Sequence, residues 1–170
     1  QYWKIAGSPS KTRLLSFDRA YHGMNFGALS VTHLGTLQEP YEPMLPGSIT
    51  LPALDPLTWP HDGDEDAFAR VVAARIEETI RAVGADSIAA LIAEPVQGAG
   101  GVFIPPRALW REMRRLCDTY DILLIADEVF TGFGRTGELF AVRHWDVAPD
   151  MMCLSKGLTS GYVPMGATLI

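Results

Sequence analysis

Ile122-Leu123-Leu124-Ile125-Ala126-Asp127-Glu128 is five apolar residues closed by two carboxylates. A continuous apolar run this short suits a strand buried on both faces. Ile88-Ala89-Ala90-Leu91-Ile92-Ala93 upstream has the same form and ends at Glu94-Pro95. Met151-Met152-Cys153-Leu154 downstream ends at Ser155-Lys156. Between the first two lies Pro105-Pro106, which opens a predicted helix with Leu109, Met113, Leu116 and Tyr120 on one side. Before Ile88 lies a second predicted helix, capped by Asp64. Phe68, Val72, Ile76 and Ile80 recur along it every four residues, and it ends near Gly84.

This alternation predicts an α/β fold, a mostly parallel sheet with helices on both faces. Arg13 to Phe17 is a further candidate strand. The stretch from His33 to His61 is rich in Pro and Gly without a period and reads as a long surface excursion. The first residues read as the end of a helix closed by Gly7, and the last as the middle of a strand. The chain is therefore expected to be a piece of a longer protein.

Composition narrows the function classes. The 170 residues suffice for one domain with a core, and 48% are apolar. The formal charge of −6 argues against nucleic acid. The one basic cluster, Arg111, Arg114 and Arg115, reads as a solvated helix face. Cys117 and Cys153 read as buried free thiols, which suits a reducing, cytoplasmic setting. No apolar run approaches the ~20 residues that span a bilayer. The four His show no metal-ligand spacing, so no metal is expected.

In open parallel sheets, ligands sit beyond the carboxyl ends of the strands. Glu94, Asp127 and Lys156 fall there. By position alone, Lys156 is an ordinary surface cation. Gly157 and Gly161 beside it suggest room for a bulky group, with the amine partly desolvated and able to attack an aldehyde. Asp127 supplies the second half. A carboxylate can keep a pyridine nitrogen protonated, and Lys with Asp is the recurring pair for pyridoxal 5'-phosphate, PLP. The rival reading of Asp127-Glu128 is a magnesium-holding strand end of a P-loop ATPase. It needs a Gly-rich phosphate loop, and Ile5 to Thr12 has Ile5 and Ser10 where the glycines belong. Gly98-Ala99-Gly100-Gly101-Val102-Phe103 reads better as a tight turn than as a dinucleotide loop, because Phe103 takes the last Gly position.

Four motifs in order resemble the class III PLP-dependent aminotransferases. They are Tyr21-His22-Gly23, Glu94-Pro95-Val96-Gln97-Gly98-Ala99-Gly100-Gly101, the run from Ala126 to Gly137, and Pro149-Asp150 followed by the run from Ser155 to Ala167. The resemblance implies part of the large domain of a fold-type I PLP enzyme, with the N-terminal segment and the C-terminal small domain absent. It implies Lys156 as the Schiff-base lysine and proton carrier, and Asp127 against the pyridine nitrogen. Val129 and Tyr21 would wall the ring, Glu94 would orient neighbouring groups, and His22 would support Tyr21 and the cofactor surround. Arg135 would be a hydrogen-bonding group of its own loop.

Phe130 stands where ornithine and 4-aminobutyrate aminotransferases carry a Gln, and Met24 where ornithine-type enzymes carry an Arg. Tyr21 to Gly27 is more similar to omega-amino acid–pyruvate and amine–pyruvate aminotransferases. The implied reaction moves an amino group from an amine or omega-amino acid to a keto acid such as pyruvate, in a homodimer or higher homo-oligomer. The fragment alone would be weakly active or inactive. A PLP-dependent decarboxylase, an aminomutase and a non-catalytic binding module are the alternatives.

Overall fold

The computed structural model describes residues 1–60 and 62–170. Six strands form one sheet: β1 (Arg13–Phe17), β2 (Ser48–Leu51), β3 (Ile88–Ala93), β4 (Leu123–Asp127), β5 (Met151–Leu154) and β6 (Ala167–Leu169). Their order is β2-β1-β3-β4-β5-β6, all parallel except the β5–β6 pair. The α-helices are α1 (Tyr2–Ile5), α2 (Phe26–Leu29), α3 (Gly35–Gln38), α4 (Glu65–Val83) and α5 (Leu109–Thr119).

The long helix α4 starts because the Asp64 carboxylate accepts from the N–H groups of Asp66 and Ala67. It ends at Gly84, whose φ of 88° only glycine adopts readily. Helix α5 begins at Leu109, later than Pro105-Pro106 suggested. Those prolines precede it in a turn in which Leu109 N–H donates to the Pro106 carbonyl. The two long helices pack on one another. With Leu15, Phe17, Leu91, Ala93, Leu124 and Ala126 of the central strands they make the main core. Ser16, Ala90 and Ile92 alternate with those residues, so they face the other way, and they are buried too. The second face is therefore covered over β1 and β3 without a long helix.

Two expectations change here. The His33–His61 stretch is not all surface excursion, because Ser48–Leu51 joins the sheet as its β2 edge, parallel to β1. Four residues between Pro46-Gly47 and Pro52 are too short for a period to show, and proline tolerates only an edge. His61 itself lies outside the described residues. Nor is the basic cluster all solvated. Arg114 is largely buried and joins Asp118 and Asp150 at 2.8 Å each. Asp150 also accepts from Leu124 N–H at 2.6 Å, so the pair ties α5 to the start of β5 and to β4.

Lys11, the lysine of the rejected phosphate loop, is buried. Its amine donates to the Ala85 and Asp121 carbonyls and lies 4.6 Å from the centre of the Trp3 ring. It staples the amino ends of three strands. Both cysteines are free, Cys117 buried and Cys153 only half-buried. No helix among the described residues is long and apolar enough to cross a membrane.

Ile76 is 1% exposed on the inner face of α4. Ile76→Ala should cost about 2–5 kcal/mol in urea unfolding. Exposed Arg70→Ala on the same helix should cost about 0.5 kcal/mol or less.

Candidate active site

The strand order decides what can meet. The chain runs from β1 outward to β2 and returns past β1 to β3, so the connections reverse direction between β1 and β3, where a crevice opens. Tyr21 and His22 follow β1, Glu94 ends β3, Asp127 ends β4, and Lys156 follows β5. The register sets Ala93 beside Ala126 and Asp127 beside Cys153, so these strand ends are level. The result is a cleft of about 590 Å³ lined by all six expected residues: Tyr21, His22, Glu94, Asp127, Val129 and Lys156.

Asp127 is 5% exposed, and each of its oxygens has a partner. Oδ1 accepts from Val129 N–H at 3.1 Å, a turn that fixes the carboxylate on the backbone leaving β4. Oδ2 is 2.8 Å from His22 Nδ1. A carboxylate only accepts, so Nδ1 carries the hydrogen of that bond. His22 is held in turn by its own N–H to Thr32 Oγ1 at 2.9 Å. Its Nε2 is buried and has no partner among the described residues.

Glu94 works differently from a ring contact. Oε1 accepts from Tyr21 N–H and Oε2 from Gly98 N–H, both at 2.9 Å. The carboxylate thus clasps the segment after β1 to the turn after β3. Burial pushes this carboxyl above its ordinary 4.5, against the pull of the two N–H groups and of His22. The turn after Gln97 is the tight one expected, closed by the paired Gln97 and Phe103 backbones.

Glu128, fully buried, is engaged by the loop that follows it. It accepts from the Thr131 hydroxyl and, at 2.9 Å, from Val142 N–H, and so it anchors the Gly-rich loop after β4. Among the described residues no group of three or more His, Cys, Asp or Glu could hold a metal ion.

Three readings of the Lys156 neighbourhood need correction. Lys156 is exposed, so this chain does not itself desolvate the amine. Gly157 leaves no room for a ligand, because a Cβ there would come within 2.8 Å of the Phe133 Cβ, whereas a Cβ at Gly161 would meet nothing within 4 Å. Arg135 does not hydrogen-bond within its loop. Its guanidinium carbon instead lies 5.4 Å from the centre of the Phe130 ring. Gly98, Ala99, Phe130 and Ser155, which the quoted motifs contain without an assigned site role, also line the cleft. Phe130 is the residue that stands where other enzymes of the resembled family carry a Gln. Its place immediately after Val129 at the end of β4 was the signal that it could reach the site.

The residues fit a PLP ring. Asp127 has two oxygens with spare acceptor capacity in a buried wall. Beside it His22 Nε2 awaits a partner, and an amine and an aromatic ring share the same cleft.

Comparison with known proteins gives a consistent result. The family model for aminotransferase class III matches residues 1–170. The putrescine–pyruvate aminotransferase of Pseudomonas aeruginosa is 41% identical over 99% of this chain and 37% of its own length. An (S)-enantioselective omega-transaminase from Thermomicrobium roseum superposes with a TM-score of 0.95 at 44% identity, over 98% of this chain and 37% of that one. An amine transaminase from an uncultivated Pseudomonas species, solved in its PLP-bound form, gives 0.94 at 46% identity, over 99% and 38%. The chain thus spans a little over a third of the length of these relatives.

The clasp generates a test with a definite sign. Glu94→Gln keeps one acceptor and turns an N–H against a second N–H, which should cost about 1–3 kcal/mol. A carboxyl whose folded value is raised contributes stability that is full below the unfolded value and lost as pH rises through the folded one. The stability advantage of the parent over Glu94→Gln should therefore shrink as pH climbs from 4.5, measured by urea unfolding across a pH series. From the match along its whole length and from this arrangement of strand ends, the chain belongs to the class III aminotransferase family.

Proposed function

We propose that residues 1–170 are part of the large, PLP-binding domain of a transaminase. The enzyme moves an amino group from an amine or omega-amino acid to a keto acid such as pyruvate. The observation that carries this reading is the buried Asp127 carboxylate, held by His22 and Val129 in the same cleft as the Lys156 amine. The activities of those relatives, omega-transaminase and putrescine–pyruvate aminotransferase, support the donor and acceptor classes.

Bound PLP supplies an aldehyde carbon and an electron-withdrawing pyridine ring. Lys156 Nζ would anchor the cofactor and then carry a proton to and from the reacting carbon. Asp127 would keep a hydrogen on the ring nitrogen, and His22 orients Asp127 for that task. Tyr21 and Val129 would wall the ring on its two faces. Glu94 keeps the Tyr21 wall in register with the Gly98 turn.

Lys156 follows β5, and the strand beyond it, β6, is exposed, as are Tyr162, Val163 and Met165. An apolar run of this kind supports the reading of a homodimer or higher homo-oligomer that covers it. A cytoplasmic location fits two free thiols.

The full-length protein should show a visible cofactor band and should transfer amino groups to pyruvate from a panel of amines. Lys156→Ala should lose both. Retention of the band, with borohydride fixing the cofactor on another residue, would contradict the assignment. Release of carbon dioxide without need of a keto acid would point to a decarboxylase.

A further inference from the structure

Lys156 is exposed, and a lysine side chain in solvent has many rotamers and no preferred aim. Yet its surroundings are built. Lys156 has a φ of 39° and Phe133 a φ of 60°, and both are side chains for which positive φ is costly. These two strained positions belong to segments in contact. The backbone at Gly157 packs so closely on Phe133 that a Cβ at Gly157 would come within 2.8 Å of Phe133 Cβ and 3.0 Å of Cδ2.

Three residues earlier in the same loop, the Phe130 ring centre lies 5.5 Å from Lys156 Nζ. That ring is fixed from other directions. Gly98 abuts it, where a Cβ would lie 3.0 Å from Cδ1, and the Arg135 guanidinium carbon is 5.4 Å from its centre. The loop carrying both rings is anchored at its base by buried Glu128, and Phe133 meets Phe140 edge-on at 5.6 Å.

We propose that Phe130 and Phe133 are positioning residues for Lys156: Phe133 seats the turn and Phe130 draws the amine into the cleft. The attraction is that of the protonated amine for the face of an aromatic ring, and it places the nitrogen in the cleft before the amine gives up its proton and attacks the aldehyde. Neither residue forms a bond or moves a proton in this role. The inference rests on the transaminase reading, because it supposes that Lys156 is the residue that captures the cofactor.

The test uses the full-length protein, freed of cofactor and mixed with limiting PLP. Samples are fixed with borohydride at intervals, and the labelled peptides are measured by mass spectrometry. Lys4, exposed and outside the cleft, is the internal reference. The rate at Lys156 relative to Lys4 should fall about 2- to 5-fold in Phe130→Leu, which keeps an apolar side chain but has no ring. Phe130→Tyr, which keeps the ring, should stay within about 2-fold of the parent. Gly157→Ala, whose methyl would strike Phe133, should lower the ratio as well.

An unchanged ratio in Phe130→Leu or in Gly157→Ala would overturn the proposal. So would an equal loss in Phe130→Tyr and Phe130→Leu, since that would mark a general packing defect. If the parent captures PLP on a residue other than Lys156, the transaminase reading and this inference fall together. Normal capture at Lys156 with no response to Phe130→Leu overturns the inference alone.

Discussion

A carboxylate buried at the end of a strand must be satisfied or it destabilises the fold. Asp127 is such a group, and much of the cleft can be understood as the answer to it. One oxygen takes the N–H of Val129, which sets the path of the chain leaving β4. The other takes His22, which brings the segment after β1 across the mouth of β3. Thr32 then fixes the His22 backbone, and Glu94 fixes that of Tyr21. Asp127 thus fixes where the segment after β1 meets the end of β4, and Glu94 joins that segment to the turn after β3. The spare acceptor capacity of Asp127 is what remains for a ligand.

The same logic extends one residue further. Glu128 is buried on the opposite side of the strand end and binds the loop after β4 at Thr131 and Val142. Adjacent acidic residues therefore do different work because successive side chains of a strand point to opposite faces. Asp127 faces the cleft and organises the site, whereas Glu128 faces the core and organises the loop that carries Phe130 and Phe133.

The sheet was legible in the sequence wherever an apolar run was long enough to have a form. Ile88–Ala93, Leu123–Asp127 and Met151–Leu154 are strands close to where the pattern puts them, and α4 has its cap and its terminal glycine where expected. Strand β2 was not legible, since four residues among prolines carry no period and its pairing with β1 is a tertiary fact. In the cleft, residue types at strand ends were enough to gather Glu94, Asp127 and Lys156. Tyr21 and His22 needed the family resemblance, because no local pattern says which way a loop turns. The partner of Asp127, the clasp role of Glu94, the contact of Phe133 with Gly157 and the placement of Arg135 over Phe130 all depend on side-chain geometry across the fold. Spacing along the chain cannot convey these.

The central claim is that Asp127 governs the ring nitrogen of the cofactor. It is tested most directly by the nitrogen-15 chemical shift of ring-labelled PLP bound to full-length protein, parent against Asp127→Asn. The parent should show a protonated ring nitrogen and Asp127→Asn an unprotonated one. The same protonated signal in both proteins would contradict the account.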